Sequence, residues 1–155
     1  AYNFGEQLVK VPGLDGTGKM GKSEGEGNAV FLCDTDEALR KKVMRAVSDA
    51  GPTEPNAPKS EAIQNLFTLM KLVSDESTLQ FFEEAYNNCA IRYGDMKKQL
   101  AEDMIKFISP VRAQVNDILQ DENRLASVMK IGKEKAQTSA AKTVKEVREI
   151  IGIRY

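Results

Sequence analysis

Two lysines, Lys19 and Lys22, stand three residues apart inside a run from Gly13 to Gly27 that holds six of the chain's eleven glycines. Ammonium groups on a backbone that glycine leaves free to bend suit a loop that closes over phosphate oxygens. As a pattern, Gly16-Thr17-Gly18-Lys19-Met20-Gly21-Lys22-Ser23 satisfies G-x-x-x-x-G-K-[ST], the formula of a nucleotide-binding P-loop. Its flanks reject that formula. A P-loop follows a buried strand and opens a helix whose N-terminus faces the phosphates. Here Pro12-Gly13 interrupts the apolar residues upstream, and Glu24 and Glu26, alternating with Gly25 and Gly27, occupy the stretch where the helix would begin. Two carboxylates at that point would repel phosphate. The expectation is a cationic phosphate loop of another kind.

Composition narrows the remaining chemistry. The 155 residues fit one ordinary domain or a piece of something larger. With 22 Lys and Arg against 23 Asp and Glu, nucleic-acid binding would depend on local clusters and not on a globally basic field. The chain has no His, and Cys33 and Cys89 form no C-x-x-C pair, so a His/Cys zinc site is not expected and the metal assignment is none. Reduced thiols in a cytoplasmic protein are expected. No run of about eighteen apolar residues is present to span a membrane. The start at Ala1-Tyr2-Asn3-Phe4, without initiator Met, signal-like run or basic presequence, suggests a piece of a longer protein.

The elements that must position the loop are mostly helical. Asn28-Ala29-Val30-Phe31-Leu32-Cys33 is short and apolar, and Val30 and Phe31 favour a strand. Leu39, Val43 and Val47 at spacings of four predict a helix from about Asp36 to Asp49, with Asp34 and Glu37 in a capping-box arrangement. Its other face carries Arg40, Lys41, Lys42 and Arg45, read as solvated. Pro52, Pro55 and Pro58 make the following link extended. Ile63, Leu66, Phe67, Met70 and Val73 predict a helix over 60–73 with a core-facing stripe, and Leu79, Phe82 and Tyr86 a shorter one capped through Ser77 and Gln80. After Tyr93-Gly94 an apolar face runs from Met96 to Ile118 and Leu119, with Pro110 predicting a kink or a boundary at Ser109. A short helix about Leu125, Val128 and Met129, then a longer one from Ala136 to Ile151 closed by Gly152, complete the chain. The exposed-type lysines Lys130, Lys133, Lys135, Lys142 and Lys145 are read as solvated.

Lys19-Met20-Gly21-Lys22-Ser23 resembles the KMSKS signature of class I aminoacyl-tRNA synthetases, with Gly21 in place of the usual serine. The resemblance extends along nearly the whole chain, to the C-terminal half of the tryptophanyl-tRNA synthetase family. It is carried by Phe4-Gly5-Glu6, by Arg45-Ala46-Val47-Ser48-Asp49, by Ile63-Gln64-Asn65-Leu66, and by Tyr93-Gly94-Asp95-Met96-Lys97 with Leu100-Ala101-Glu102 and Ile108-Ser109-Pro110-Val111-Arg112.

That resemblance implies a mainly α fold: a helical bundle of the anticodon-binding type over residues 34–155, preceded in 1–33 by the loop and a short strand left from a Rossmann-type catalytic domain. It implies that Lys19 and Lys22 stabilise the pyrophosphate leaving group when amino acid and ATP form an aminoacyl-adenylate. Met20 would anchor the loop, and Gly21 and Ser23 would assist at the ATP phosphates. Gly21 lacks the family's usual hydroxyl, so the site there rests on its backbone. Tyr93, Lys97 and Lys98 would lie at the tRNA-contacting edge. Implied partners are ATP, with Mg2+ held mainly by the half not in this chain, tryptophan and tRNA(Trp), in a full-length homodimer joined through the missing catalytic domain. The HIGH motif is absent from these residues, so the segment alone is expected to be inactive. The alternatives are a piece of a tyrosyl-tRNA synthetase and a non-catalytic helical module that binds RNA or a protein partner.

Overall fold

The computed structural model describes residues 10–16, 18–21, 23, 25 and 27–153. Five helices follow one another: α1 (Asp36–Met44), α2 (Glu61–Val73), α3 (Glu76–Asn87), α4 (Tyr93–Gln120) and α5 (Glu122–Ile150). The chain divides into two compact units, residues 1–110 and 111–155. The described residues on both sides of the 33/34 junction therefore share one unit.

In the first unit, α2 is the central element. Its residues Ile63, Leu66, Phe67, Leu69 and Met70 are buried, at the three-and-four spacing that puts them on one face. Each fully buried aliphatic side chain of this kind contributes about 1.5–3 kcal/mol. Leu39 and Val43 from α1, Phe82 and Tyr86 from α3, and Met96, Leu100, Ala101, Met104 and Ile108 from α4 complete the same core. The ring of Tyr86 meets Phe67 edge-on at 6.1 Å between centroids.

Several expectations are corrected. The strand over Asn28–Cys33 does not form; residues 29–31 are irregular and Leu32 and Cys33 lie in a turn, so the described fold is helices and loops without a strand. A strand needs a neighbouring segment to pair with, and among the described residues the backbone of 28–33 makes one backbone–backbone bond to a distant segment, from Leu14 N–H to the Asn28 carbonyl at 3.1 Å. The cap of α1 is Thr35, whose hydroxyl accepts from Ala38 N–H at 3.2 Å. Asp34 instead accepts from Phe31 N–H and from Lys42. α1 stops at Met44, and Val47 leaves it to donate its N–H to the Leu14 carbonyl at 2.9 Å. α3 is capped by Asp75, which takes the Thr78 N–H at 2.8 Å, while Ser77 donates its hydroxyl to the same carboxylate. α4 runs as one 28-residue helix through Pro110, and the boundary between the two units falls just after that proline.

The second unit comprises the end of α4 and α5. α5 is one 29-residue helix where the sequence predicts two, and none of its residues is buried. Its start is capped by Asp121, which accepts from Arg124 N–H at 2.9 Å. At its end Gly152 takes φ 74°, as the sequence predicts, and Ile153 N–H reaches back to the Arg148 carbonyl at 3.0 Å.

Candidate functional site

The lysine loop is tied down at its base. Leu14, 3% exposed, drops its side chain into the core, and its carbonyl holds Val47 N–H. Asn28, buried at 5% exposure, clamps the loop from its other end. Its backbone carbonyl accepts from Leu14 N–H, its Oδ1 accepts from Asp15 N–H at 2.9 Å, and its own N–H donates to the Gly25 carbonyl at 3.2 Å. Gly13 is required by this packing: a Cβ there would sit 2.2 Å from Asn28 Oδ1. Gly16 turns the chain at φ 83° against Ala62 and Val47, and Gly18 turns it again at φ 59°.

Met20 makes a second anchor. Its N–H donates to the Val11 carbonyl at 2.9 Å, its Sδ accepts from Val30 N–H at 3.4 Å, and its side chain packs against the core cluster. Lys19, immediately before it, is exposed, as is Ser23, while Gly21 is half-buried. Lys22 and the Phe4-Gly5-Glu6 segment lie outside the described residues. Lys19, exposed beside a packed methionine, has no ion pair among the described residues, so its ammonium is placed to meet an anion. No three acidic or cysteine side chains come together among the described residues in a way that could hold a metal ion.

The basic face of α1 is partly neutralised. Arg40 makes a two-pronged pair with Glu102, at 2.6 and 3.0 Å. Lys42 lies 2.7 Å from Asp34 and over the Phe31 ring at 4.4 Å. Lys41 and Arg45 line an open cleft of about 380 Å3 with Gly27 and Ala38. In α5, Lys130, Lys133, Lys135, Lys142 and Lys145 are exposed, and Lys145 lies 3.9 Å from Glu149.

Tyr93, Lys97 and Lys98 share the first turns of α4 but have different surroundings. Lys97 is 8% exposed, and its ammonium donates to the Ala46 carbonyl at 2.7 Å and to Ser48 Oγ at 2.9 Å. Burial pushes its pKa below the ordinary lysine value. Tyr93 donates its phenol to Asp49 Oδ1 at 2.7 Å. Burial, with that hydrogen bond, raises the phenol well above its usual range. Asp49 also receives Ser60 Oγ–H at 2.5 Å and Gly51 N–H at 2.9 Å. Partial burial acts to raise the Asp49 pKa, but the hydrogen bonds from Ser60, Tyr93 and Gly51 together hold it below the ordinary carboxylate value. Lys98 faces solvent, with its side chain 70% exposed and its ammonium 3.9 Å from Asp95. The segment 46–51 thus joins the base of the lysine loop, through Val47, to the start of α4.

Sequence reasoning missed Asn28, Asp49 and Ser60. Asn28 was hidden inside an apolar run, and its one signal was Gly27 before it, a turn pair and not a strand start. Asp49 and Ser60 flank the proline link, and nothing local to either points to Tyr93.

The family described as tRNA synthetases class I (W and Y) matches residues 7–109. A tryptophan–tRNA ligase of Porphyromonas gingivalis is 50% identical over 154 residues, 99% of this chain and 46% of that protein. One of Helicobacter pylori is 35% identical, over 94% of this chain and 44% of that protein. The chain spans about half the length of the curated relatives it matches. Among solved structures, tryptophanyl-tRNA synthetase from Campylobacter jejuni complexed with ADP and tryptophan aligns with a TM-score of 0.75 at 26% identity, covering 96% of this chain and 45% of that one. Tyrosyl-tRNA synthetase from Aeropyrum pernix, at a TM-score of 0.55 and 20% identity over 80% of this chain, shares the fold. With two thirds of its length matched by that family and its lysine loop anchored to the helical core, the chain belongs to the class I tRNA synthetases of the tryptophan and tyrosine group.

Proposed function

We propose that this chain is the C-terminal part of a tryptophan–tRNA ligase. Such an enzyme activates tryptophan with ATP and transfers it to tRNA(Trp). The observation that carries the reading is the 50% identity to a tryptophan–tRNA ligase over 99% of the chain. The weaker likeness to the tyrosyl enzyme concerns the fold alone.

In the activation step the amino-acid carboxylate attacks the α-phosphorus of ATP, an acyl-phosphate bond forms, and pyrophosphate leaves with the bonding pair of the α–β bridge. Negative charge grows on the leaving group. Lys19 and Lys22 are the cations of this chain that stabilise it, acting most strongly in the transition state. Backbone groups about Gly21 and the Ser23 hydroxyl bind the β- and γ-phosphates, and Met20 keeps the loop root on the helical core. Mg2+, carried by the ATP phosphates, would add charge neutralisation.

The tRNA reads as the ligand of the α4 edge. Lys98 makes the phosphate contact there, and Tyr93 and Lys97 hold segment 46–51 and so fix the edge itself. The full-length protein is a cytoplasmic homodimer in this reading; no described helix is long and apolar enough to cross a membrane.

The test is tryptophan-dependent exchange of pyrophosphate into ATP. The full-length protein carrying this chain should catalyse it with tryptophan and not with tyrosine, and the isolated segment should be inactive. Exchange driven by tyrosine would overturn the assignment, and activity in the segment alone would overturn its expected inactivity.

A further inference from the structure

Asn28 does more than the rest of the loop's base. It is one of two buried polar or charged residues in the described chain, the other being Lys97. Two of its hydrogen-bonding groups join the two ends of the loop, the side-chain oxygen on Asp15 N–H and the carbonyl on Leu14 N–H, and a third, its own N–H, closes a local turn onto the Gly25 carbonyl. The fourth, the Nδ2 amide, is buried with no protein acceptor among the described residues. An unpaired buried donor is costly, a condition that Asn28 Nδ2 shares among the described residues with Asn65 Nδ2. Gly13 completes the arrangement, because its missing side chain is what lets the amide lie against the backbone. In the chain Lys19 lies between Asp15, whose N–H Asn28 holds, and the Met20 anchor, and it makes no hydrogen bond or ion pair of its own among the described residues. The backbone bonds at the two ends of this stretch are therefore what locate its ammonium.

Resting on the reading of the loop as a pyrophosphate clamp, we propose that Asn28 is a positioning residue for activation: by holding Leu14 and Asp15 it sets the root from which Lys19 reaches the leaving group. It touches no reacting atom. Its effect passes through Lys19.

A double-mutant cycle tests this in the full-length protein carrying the chain, by pyrophosphate exchange with tryptophan and ATP. Asn28→Ala should lower kcat by about tenfold to a hundredfold while leaving the KM for tryptophan unchanged, the signature of a misplaced catalytic group. Gly13→Ala, which displaces the Asn28 side chain without altering it, should do the same and stands in if Asn28→Ala fails to fold. In a Lys19→Ala background either change should cost less than about twofold further, because interacting positions are non-additive. If Lys19→Ala is impaired and the Asn28 loss simply multiplies with it, Asn28 is a structural residue and the proposal fails while the clamp stands. If Lys19→Ala exchanges at the wild-type rate, the clamp reading itself falls and takes the proposal with it.

Discussion

Tyr93 and Asp49, 44 positions apart in the chain, are joined by a 2.7 Å hydrogen bond from the phenol to a carboxylate that also receives Ser60 and Gly51. This bond ties the start of α4 to the segment that leaves α1. Tyr93→Phe removes the donor and keeps the ring, so it should cost about 1 kcal/mol, below the usual range for a bond to a charged acceptor because the pair is partly open to water. A urea titration reads this as a lowered midpoint with unchanged slope.

The same pair sets a pH dependence at both ends of the scale. The Asp49 pKa is lowered in the folded state, so its contribution is fully present above the ordinary Asp value of about 3.9 and is lost as pH falls through the lower folded value. Tyr93 is raised, so its contribution is present below about pH 10 and is lost as pH rises through the folded value. Asp49→Asn should therefore flatten the acid limb of a stability profile. Tyr93→Phe should remove a late-titrating phenol from the absorbance titration at high pH.

Lys97 is expected to stabilise through its two hydrogen bonds and its buried stem. Lys97→Met keeps the stem and strips the Ala46 carbonyl of its partner, at about 1–2 kcal/mol. Lys97→Ala should cost more, since packing is lost as well. Equal losses in thermal denaturation would show that the stem contributes nothing.

Lys19→Ala in the full-length protein should lower kcat for pyrophosphate exchange by about a hundredfold to a thousandfold, the range for removing one transition-state donor. The KM for tryptophan should not move. A loss confined to the KM for ATP would mean that Lys19 binds the ground state equally well.

Lys98→Ala should weaken tRNA binding across sequences and reduce the salt slope by about one, as expected when a single phosphate contact is removed. A titration of tRNA at several salt concentrations measures both. An unchanged slope would remove Lys98 from the interface.

The helical core was legible because burial imposes a period: Ile63, Leu66, Phe67 and Met70 were read as one stripe, and all four are buried. Helix ends were less legible. Thr35 and Asp75 cap where Asp34 and Ser77 were expected, since neighbouring polar residues compete for the same free N–H groups and tertiary packing decides. The strand at 28–33 failed for a non-local reason, as the pattern favoured extension but the described residues contain no sheet to receive it. The loop's chemistry was visible in Lys19 and Met20. Its mechanical base was not, because Asn28 reaches Leu14 and Asp15 across a distance no short motif spans.

α5 carries a consequence for how this chain melts. A helix of 29 residues with caps at both ends and no buried residue draws its order from local terms, which are weak and only gradually lost on heating. The unit ending at Pro110 has a shared core and should unfold all at once. Calorimetry of this chain should therefore record a sharp endotherm laid over a broad, shallow loss of helicity, with ellipticity and near-ultraviolet signals disagreeing on the midpoint. A single melting temperature would be a property of the first 110 residues and not of the molecule.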